Sequence, residues 1–135
     1  MKKVVKFGGS SLASAEQFKK VGDIIRADKS RRYVVPSAPG KRSSSDTKVT
    51  DMLYSCYNLA IREKKFTSLL DEIHARYNEI IDGLNLELSL DHEFDMIREN
   101  FVKKNRKVEL CCIPGRIFKW YHYGKLSGIL FYRCS

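Results

Sequence analysis

An α/β fold built on parallel strands is the class this sequence predicts, on three observations. A β-branched run at Val4-Val5 leads directly into a glycine and serine turn, Lys6-Phe7-Gly8-Gly9-Ser10-Ser11. An amphipathic helical pattern follows it, and a second short apolar run, Arg32-Tyr33-Val34-Val35, is stopped by Pro36. Strand, helix and strand in that order form the unit of a parallel sheet with a right-handed crossover.

Taken in order, Lys2 to Phe7 reads as a buried strand. Gly8, Gly9 and Ser10 let backbone N–H groups approach an anion without a Cβ in the way. A following helix N-terminus adds partial positive charge, and Lys6 adds a full one, so the turn is a candidate phosphate site. The same residues also make an ordinary strand-to-helix turn. Ser14 to Gln17 is a capping-box pattern in which Ser14 accepts from the Gln17 N–H. Behind it Phe18, Val21, Ile24 and Ile25 share one helical face, and the helix is expected to end near Asp28 to Ser30.

Pro36-Ser37-Ala38-Pro39-Gly40 is a second small-residue loop, placed like the first at the C-terminal end of a strand. Ligands of open α/β sheets bind at that edge, so Ser37 and Gly40 are candidates for the same site, although Pro and Gly suffice for a plain turn. Lys41 to Lys48, with Ser43, Ser44 and Ser45, reads as an exposed, mobile loop or lid. Thr50 and Asp51 open the next helix, through Met52, Leu53, Cys56, Leu59 and Ala60. Either is a helix cap, or Thr50 aims its hydroxyl at a substrate. Leu69, Leu70, Ile73, Tyr77, Ile80, Ile81 and Leu84 form the apolar stripe of a helix over 66–84, with Gly83 as its stop signal. His74 falls off the stripe and reads as a surface residue. A last helix, Asp91 to Lys103, turns Phe94, Ile97 and Phe101 inward.

Composition narrows the function classes. At 135 residues and 43% hydrophobic content the chain suits one soluble domain, with no membrane-length apolar run and no signal-peptide pattern, which makes a cytoplasmic location the default. Cys56, Cys111, Cys112 and Cys134 include no C-x-x-C pair, so neither a zinc site nor a disulfide framework is indicated. The net charge of +9 is uneven. Residues 103 to 135 carry +7 of it, leaving a nearly neutral body. Lys119-Trp120-Tyr121-His122-Tyr123 and its basic neighbours therefore raise a second reading, a small basic nucleic-acid-binding protein acting through its tail.

Three stretches in order carry a resemblance. Lys6-Phe7-Gly8-Gly9-Ser10-Ser11, Val34-Val35-Pro36-Ser37-Ala38-Pro39-Gly40 and Val49-Thr50-Asp51-Met52-Leu53 together resemble the N-terminal part of the aspartate kinases. The resemblance covers residues 1–105. It implies a partial, truncated amino-acid kinase fold, a parallel sheet between helical layers, and transfer of the ATP γ-phosphoryl group to the β-carboxylate of L-aspartate, in lysine, threonine and methionine biosynthesis. It further implies that Lys6 neutralises the moving phosphoryl charge, and that Gly8, Gly9, Ser10, Ser37 and Gly40 line the phosphates. Thr50 would contact L-aspartate, magnesium would accompany ATP, and the family's members form homo-oligomers. Another amino-acid kinase, acting on a different carboxylate or carbamate, is the neighbouring reading.

Residues 106–135 form a non-family tail where an Arg-Gly-Glu motif, whose glutamate binds substrate, is expected. Codons exist for Leu110 to Cys134 that, read one nucleotide later, spell YAASRGEYLNGIIMANYLGYYFIDA, which looks like the missing segment. The tail is therefore expected to be a frameshift product, and the 135-residue chain is expected to be inactive alone. A partial sheet would also leave an unpaired strand edge and an uncovered apolar helix face.

Overall fold

The computed structural model describes residues 1–104; the tail lies outside the described residues. The order of elements is β1 (Lys3–Phe7), a 3-10 turn (Gly9–Leu12), α1 (Ala15–Arg26), β2 (Arg31–Pro36), α2 (Val49–Ile61), α3 (Thr67–Gly83) and α4 (Asp91–Lys104). The strands pair in parallel, Val4 with Tyr33, Val5 with Val34, Lys6 with Val35 and Phe7 with Pro36, so the predicted β-α-β unit is present. Ser14 caps α1 as its spacing requires, its hydroxyl accepting from Gln17 N–H at 3.4 Å. The helix ends at Arg26, a little before the expected stop.

The first strand is not buried as expected. Phe7 and Val34 pack on the helical core, but Val4, Tyr33 and Val35 on the opposite face are 67%, 53% and 46% exposed. Among the described residues only one face of the sheet is covered. The bare apolar surface thus lies on the sheet, where an uncovered helix face was expected. Ile24, expected on the inner face of α1, is also exposed.

The core lies between the helices, built from Phe18 and Val21 of α1, Met52 and Cys56 of α2, Leu70, Ile73, Tyr77 and Ile80 of α3, and Phe94, Ile97 and Phe101 of α4. These are the predicted stripes. Burial, with the Glu72 carboxylate second, pushes the Cys56 thiol up to about 11. A chain with Cys111, Cys112 and Cys134 replaced by serine is thus expected to resist thiol reagents until it unfolds. Rapid labelling of that variant in native buffer would show the core open.

Two helix ends depart from the glycine rule. Beyond α2, Glu63 takes φ 55°, with Lys64 N–H donating to Leu59 O at 2.9 Å and Glu63 N–H to Ala60 O at 3.1 Å. Beyond α3, Asn85 does the same at φ 52°, with Leu86 N–H on Ile81 O and Asn85 N–H on Asp82 O. Both are Schellman closures without glycine. Gly83, expected as the stop, is instead the last helical residue, and a Cβ there would stand 2.6 Å from Ala15 Cβ. It lets α3 approach α1. Glu63→Gly should raise stability by about 0.5–1 kcal/mol, because glycine occupies the left-handed region without the Cβ penalty. Urea unfolding of the two chains checks it.

His74 is not the free surface residue its position implied. Its ring stacks on Phe94 at 4.2 Å between centroids, and Nε2 lies 3.1 Å from the Asp91 carboxylate. It joins α3 to the first turn of α4.

Candidate functional site

The polypeptide after β1 and the polypeptide after β2 meet at the carboxyl end of the sheet. The strand pairing continues one step past the sheet through Ser37 N–H, which donates to Phe7 O at 3.0 Å. Gly40 N–H then donates to Gly9 O at 2.8 Å. Contact here is backbone on backbone. A Cβ on Gly40 would lie 2.6 Å from Gly9 C and 2.8 Å from Ser10 N, and one on Gly9 would lie 2.9 Å from Ala38 O. Neither glycine has positive φ, so close approach, not backbone conformation, requires them. Gly8 differs: nothing lies within 4 Å of a Cβ built there, and its outer side is open.

The predicted helix N-terminus behind the loop is a single 3-10 turn, with Ser11 N–H bonded to Gly8 O at 3.1 Å, and α1 starts only at Ala15. The turn leaves its first N–H groups, those of Gly9 and Ser10, without partners inside the helix. The free helix-start N–H groups next to the loop therefore belong to the turn, not to α1. Lys6 stands beside Val35 on the exposed sheet face. None of the ion pairs among the described residues uses it.

Thr50 is the second residue of α2 and half-buried. Neither Thr50 nor Asp51 is the cap: Lys48, in extended conformation, holds that position, and its carbonyl accepts from Asp51 N–H at 3.0 Å and Met52 N–H at 3.1 Å. The start of α2 is tied to the second loop by Val49 N–H on Pro39 O at 3.2 Å. All seven residues singled out from sequence thus fall on one continuous set of joined segments. Lys6, Gly8, Gly9 and Ser10 end the first strand, Ser37 and Gly40 follow the second, and Thr50 opens α2.

Sequence reading missed Arg76. It lies inside the apolar stripe of α3, is 5% exposed, and donates to Gly40 O at 2.7 Å and Thr47 O at 2.6 Å. Its guanidinium also lies 3.2 Å from the Asp46 carboxylate, which accepts from Arg42 Nε and Arg42 N–H, each at 2.9 Å. Arg42 continues to Glu79 on α3 at 2.8 Å. The serine-rich segment expected as a mobile lid is tied to α3 at both ends. A cleft of about 360 Å³ lies beneath it, lined by Ser45, Asp46, Ser55, Glu72 and Arg76 among others.

Arg42, first through its side chain and then its N–H, holds the Asp46 carboxyl well below the usual carboxylate range, with Thr47 N–H and the Arg76 charge adding to it. A carboxyl with a depressed folded pKa stabilises the fold fully above its unfolded value, about 3.9, and the contribution fades as pH falls through the folded one. Asp28, held low first by Lys3 and then by Ser30, acts in the same direction. Stability is therefore expected to drop below about pH 4. Asp46→Asn should be less stable than the parent at neutral pH and show a shallower acid decline, both read from urea unfolding.

Glycine loops joined at the carboxyl ends of adjacent parallel strands mark the ligand end of an open α/β protein. The comparisons with known proteins specify the class. The family model described as Amino acid kinase family matches residues 1–105, and the chain belongs to that family. Aspartokinase 3 of Bacillus subtilis strain 168 is 46% identical over 88 residues, covering 65% of this chain and 19% of that protein. The aspartokinase of Chlamydia pneumoniae is 38% identical over 85 residues, or 62% and 17%. The crystal structure of Clostridium acetobutylicum aspartate kinase superposes with a TM-score of 0.82 at 34% identity, over 98% of this chain and 29% of that one. The chain therefore spans about a fifth of the curated relatives' length. Nothing in these likenesses favours the nucleic-acid reading, which rests on residues outside the described ones.

Proposed function

We propose that the protein to which this chain belongs transfers the ATP γ-phosphoryl group to the β-carboxylate of L-aspartate. One observation carries the reading: the Gly40 N–H bond to Gly9 O, which brings both glycine loops to one place. Phosphoryl transfer needs positioning and electrostatic clamping more than a covalent partner, and the residues at hand are of that kind. Gly8, Gly9 and Ser10 would offer backbone donors to the phosphates, with the open side of Gly8 leaving room for them. Ser37 and Gly40 would close the site from the second loop, Lys6 would offset the charge of the moving group, and Thr50 would hold the aspartate.

Magnesium is expected with ATP. The described residues hold no group of three His, Cys, Asp or Glu suited to a metal. No helix among the described residues is long and apolar enough to cross a membrane, and the proposed setting is the cytoplasm, in a homo-oligomer. For residues 106–135 the proposal is an out-of-frame tail. Sequencing the gene from codon 100 onward tests it: a neighbouring frame encoding SRGEYLNG supports the tail as a frameshift product, and its absence overturns that. Protein made from the restored frame should yield aspartyl phosphate from ATP and aspartate, trapped as the hydroxamate, and the 135-residue chain should not. A restored protein active only on another carboxylate or on carbamate would move the assignment to a different amino-acid kinase.

A further inference from the structure

We propose that Arg76 is a positioning residue for the anion-facing turn, acting through the second loop without touching the ligand. The inference deepens the phosphate-transfer reading and rests on it for its purpose, though not for its geometry. Arg76 donates to two carbonyls at opposite ends of one loop, Gly40 O at 2.7 Å and Thr47 O at 2.6 Å. That fixes the loop's span from a helix belonging to the core. Gly40, so held, turns its own N–H onto Gly9 O at 2.8 Å.

The carbonyl of Gly9 and the N–H of Ser10 belong to one planar trans peptide, and in such a unit they point in opposite directions. Engaging the carbonyl from the second loop therefore aims the Ser10 N–H away from that loop. It also polarises the peptide, strengthening the N–H as a donor. The order of action is Arg76, Gly40, the Gly9–Ser10 peptide, and then whatever anion the turn receives. Charge alone does not explain the choice of arginine. A planar fork bonds two carbonyls while lying against an adjacent carboxylate, and a lysine ammonium lacks that fixed geometry. The Asp46 carboxylate, 3.2 Å away and shared with Arg42, balances the buried guanidinium.

The test uses the 135-residue chain, labelled with nitrogen-15 in phosphate-free buffer, as wild type, Arg76→Gln, Arg76→Lys and the control Arg62→Gln, at an exposed position. Amide hydrogen exchange is read residue by residue. In the wild type, Gly40 N–H should exchange at least about tenfold more slowly than Ser44 N–H. Arg76→Gln should accelerate Gly40 and Val49 by about tenfold while Ile80 and Ile97 stay within about twofold, and Arg76→Lys should restore little of the difference. The control should change none of them. An unprotected Gly40 in the wild type overturns the proposal whether or not any variant folds. So does an Arg76→Gln chain in which Gly40 is unaltered, or in which Ile80 and Ile97 accelerate as much as Gly40.

Titration with ATP separates this result from the reading beneath it. Displaced Gly8, Gly9 and Ser10 amide signals in the wild type support the phosphate site, and a reduced Ser10 response in Arg76→Gln supports the positioning role. Wild-type signals that do not move count against the phosphate site and leave the exchange result standing.

Discussion

Lys6→Ala, made in the protein translated from the restored frame, is expected to lower kcat by about 10²–10³-fold, the usual loss when one electrostatic stabiliser of a developing charge is removed. The strand sets where the side chain stands. Lys6 precedes the glycine turn by two residues, on the exposed face of β1 beside Val35, and engages none of the ion pairs among the described residues. It contributes nothing visible to packing, so the variant should unfold at the parent's urea concentration. KM for aspartate should change little, since Thr50, and in the restored frame the glutamate expected in the Arg-Gly-Glu motif, would hold that substrate. Lys6→Arg keeps the charge but replaces a compact ammonium by a wider planar group, and it should recover only part of the rate. Hydroxamate assays under saturating substrates decide the matter, and a loss below tenfold would remove Lys6 from the proposed chemistry.

The second large effect concerns the fold. Gly40→Ala should destabilise the chain by about 1–3 kcal/mol, the range for forcing a methyl into a closed contact. The neighbours it meets, Gly9 C, Gly9 O and Ser10 N, are all backbone, and no rotamer change relieves them. Gly8→Ala supplies the contrast. Gly8 has φ −75° and ψ 171°, a conformation open to any residue, with nothing within 4 Å of the new carbon. Restricting the unfolded chain should then raise stability by about 0.4–1 kcal/mol. Opposite signs for the same chemical change in the two joined loops would establish that the contact, and not glycine's flexibility, matters at Gly40. Urea unfolding of both variants measures it, and a neutral Gly40→Ala would mean that the loops separate at little cost.

The elements were legible because their signals are local. Phe18, Val21 and Ile25 recur at helical spacing, Ser14 and Gln17 stand at capping distance, and Val4-Val5 and Val34-Val35 are β-branched. The two loops could also be placed at one sheet edge, since parallel strands put them there. What escaped was set by distant partners. Arg76 stands between Ile73 and Ile80 on a face otherwise apolar, which is the one signal sequence offers for it, but its partners are 36 and 29 residues away. Gly83 was misread because a glycine near a helix end has two uses, and the Ala15 contact that selects between them lies on another helix. The stretch Lys2 to Phe7 read as a buried strand, while Val4 within it is exposed because the described residues cover one face of the sheet. His74 gave no sign that Phe94 would stack on it.

The meeting of Gly9 and Gly40 has a bearing on how such a chain can change over generations. Ordinarily an enlarged side chain at one point of a contact is rescued when its neighbour becomes smaller, so two individually harmful changes form a tolerated pair. Here both partners already lack a side chain, and no smaller residue exists for either to become. Neither position can compensate the other, and the remaining escape is to move a whole loop, which the hydrogen bonds of Ser37, Gly40 and Val49 resist together. The pair is a corner of sequence space from which every single step is uphill and no second step at its partner leads back down.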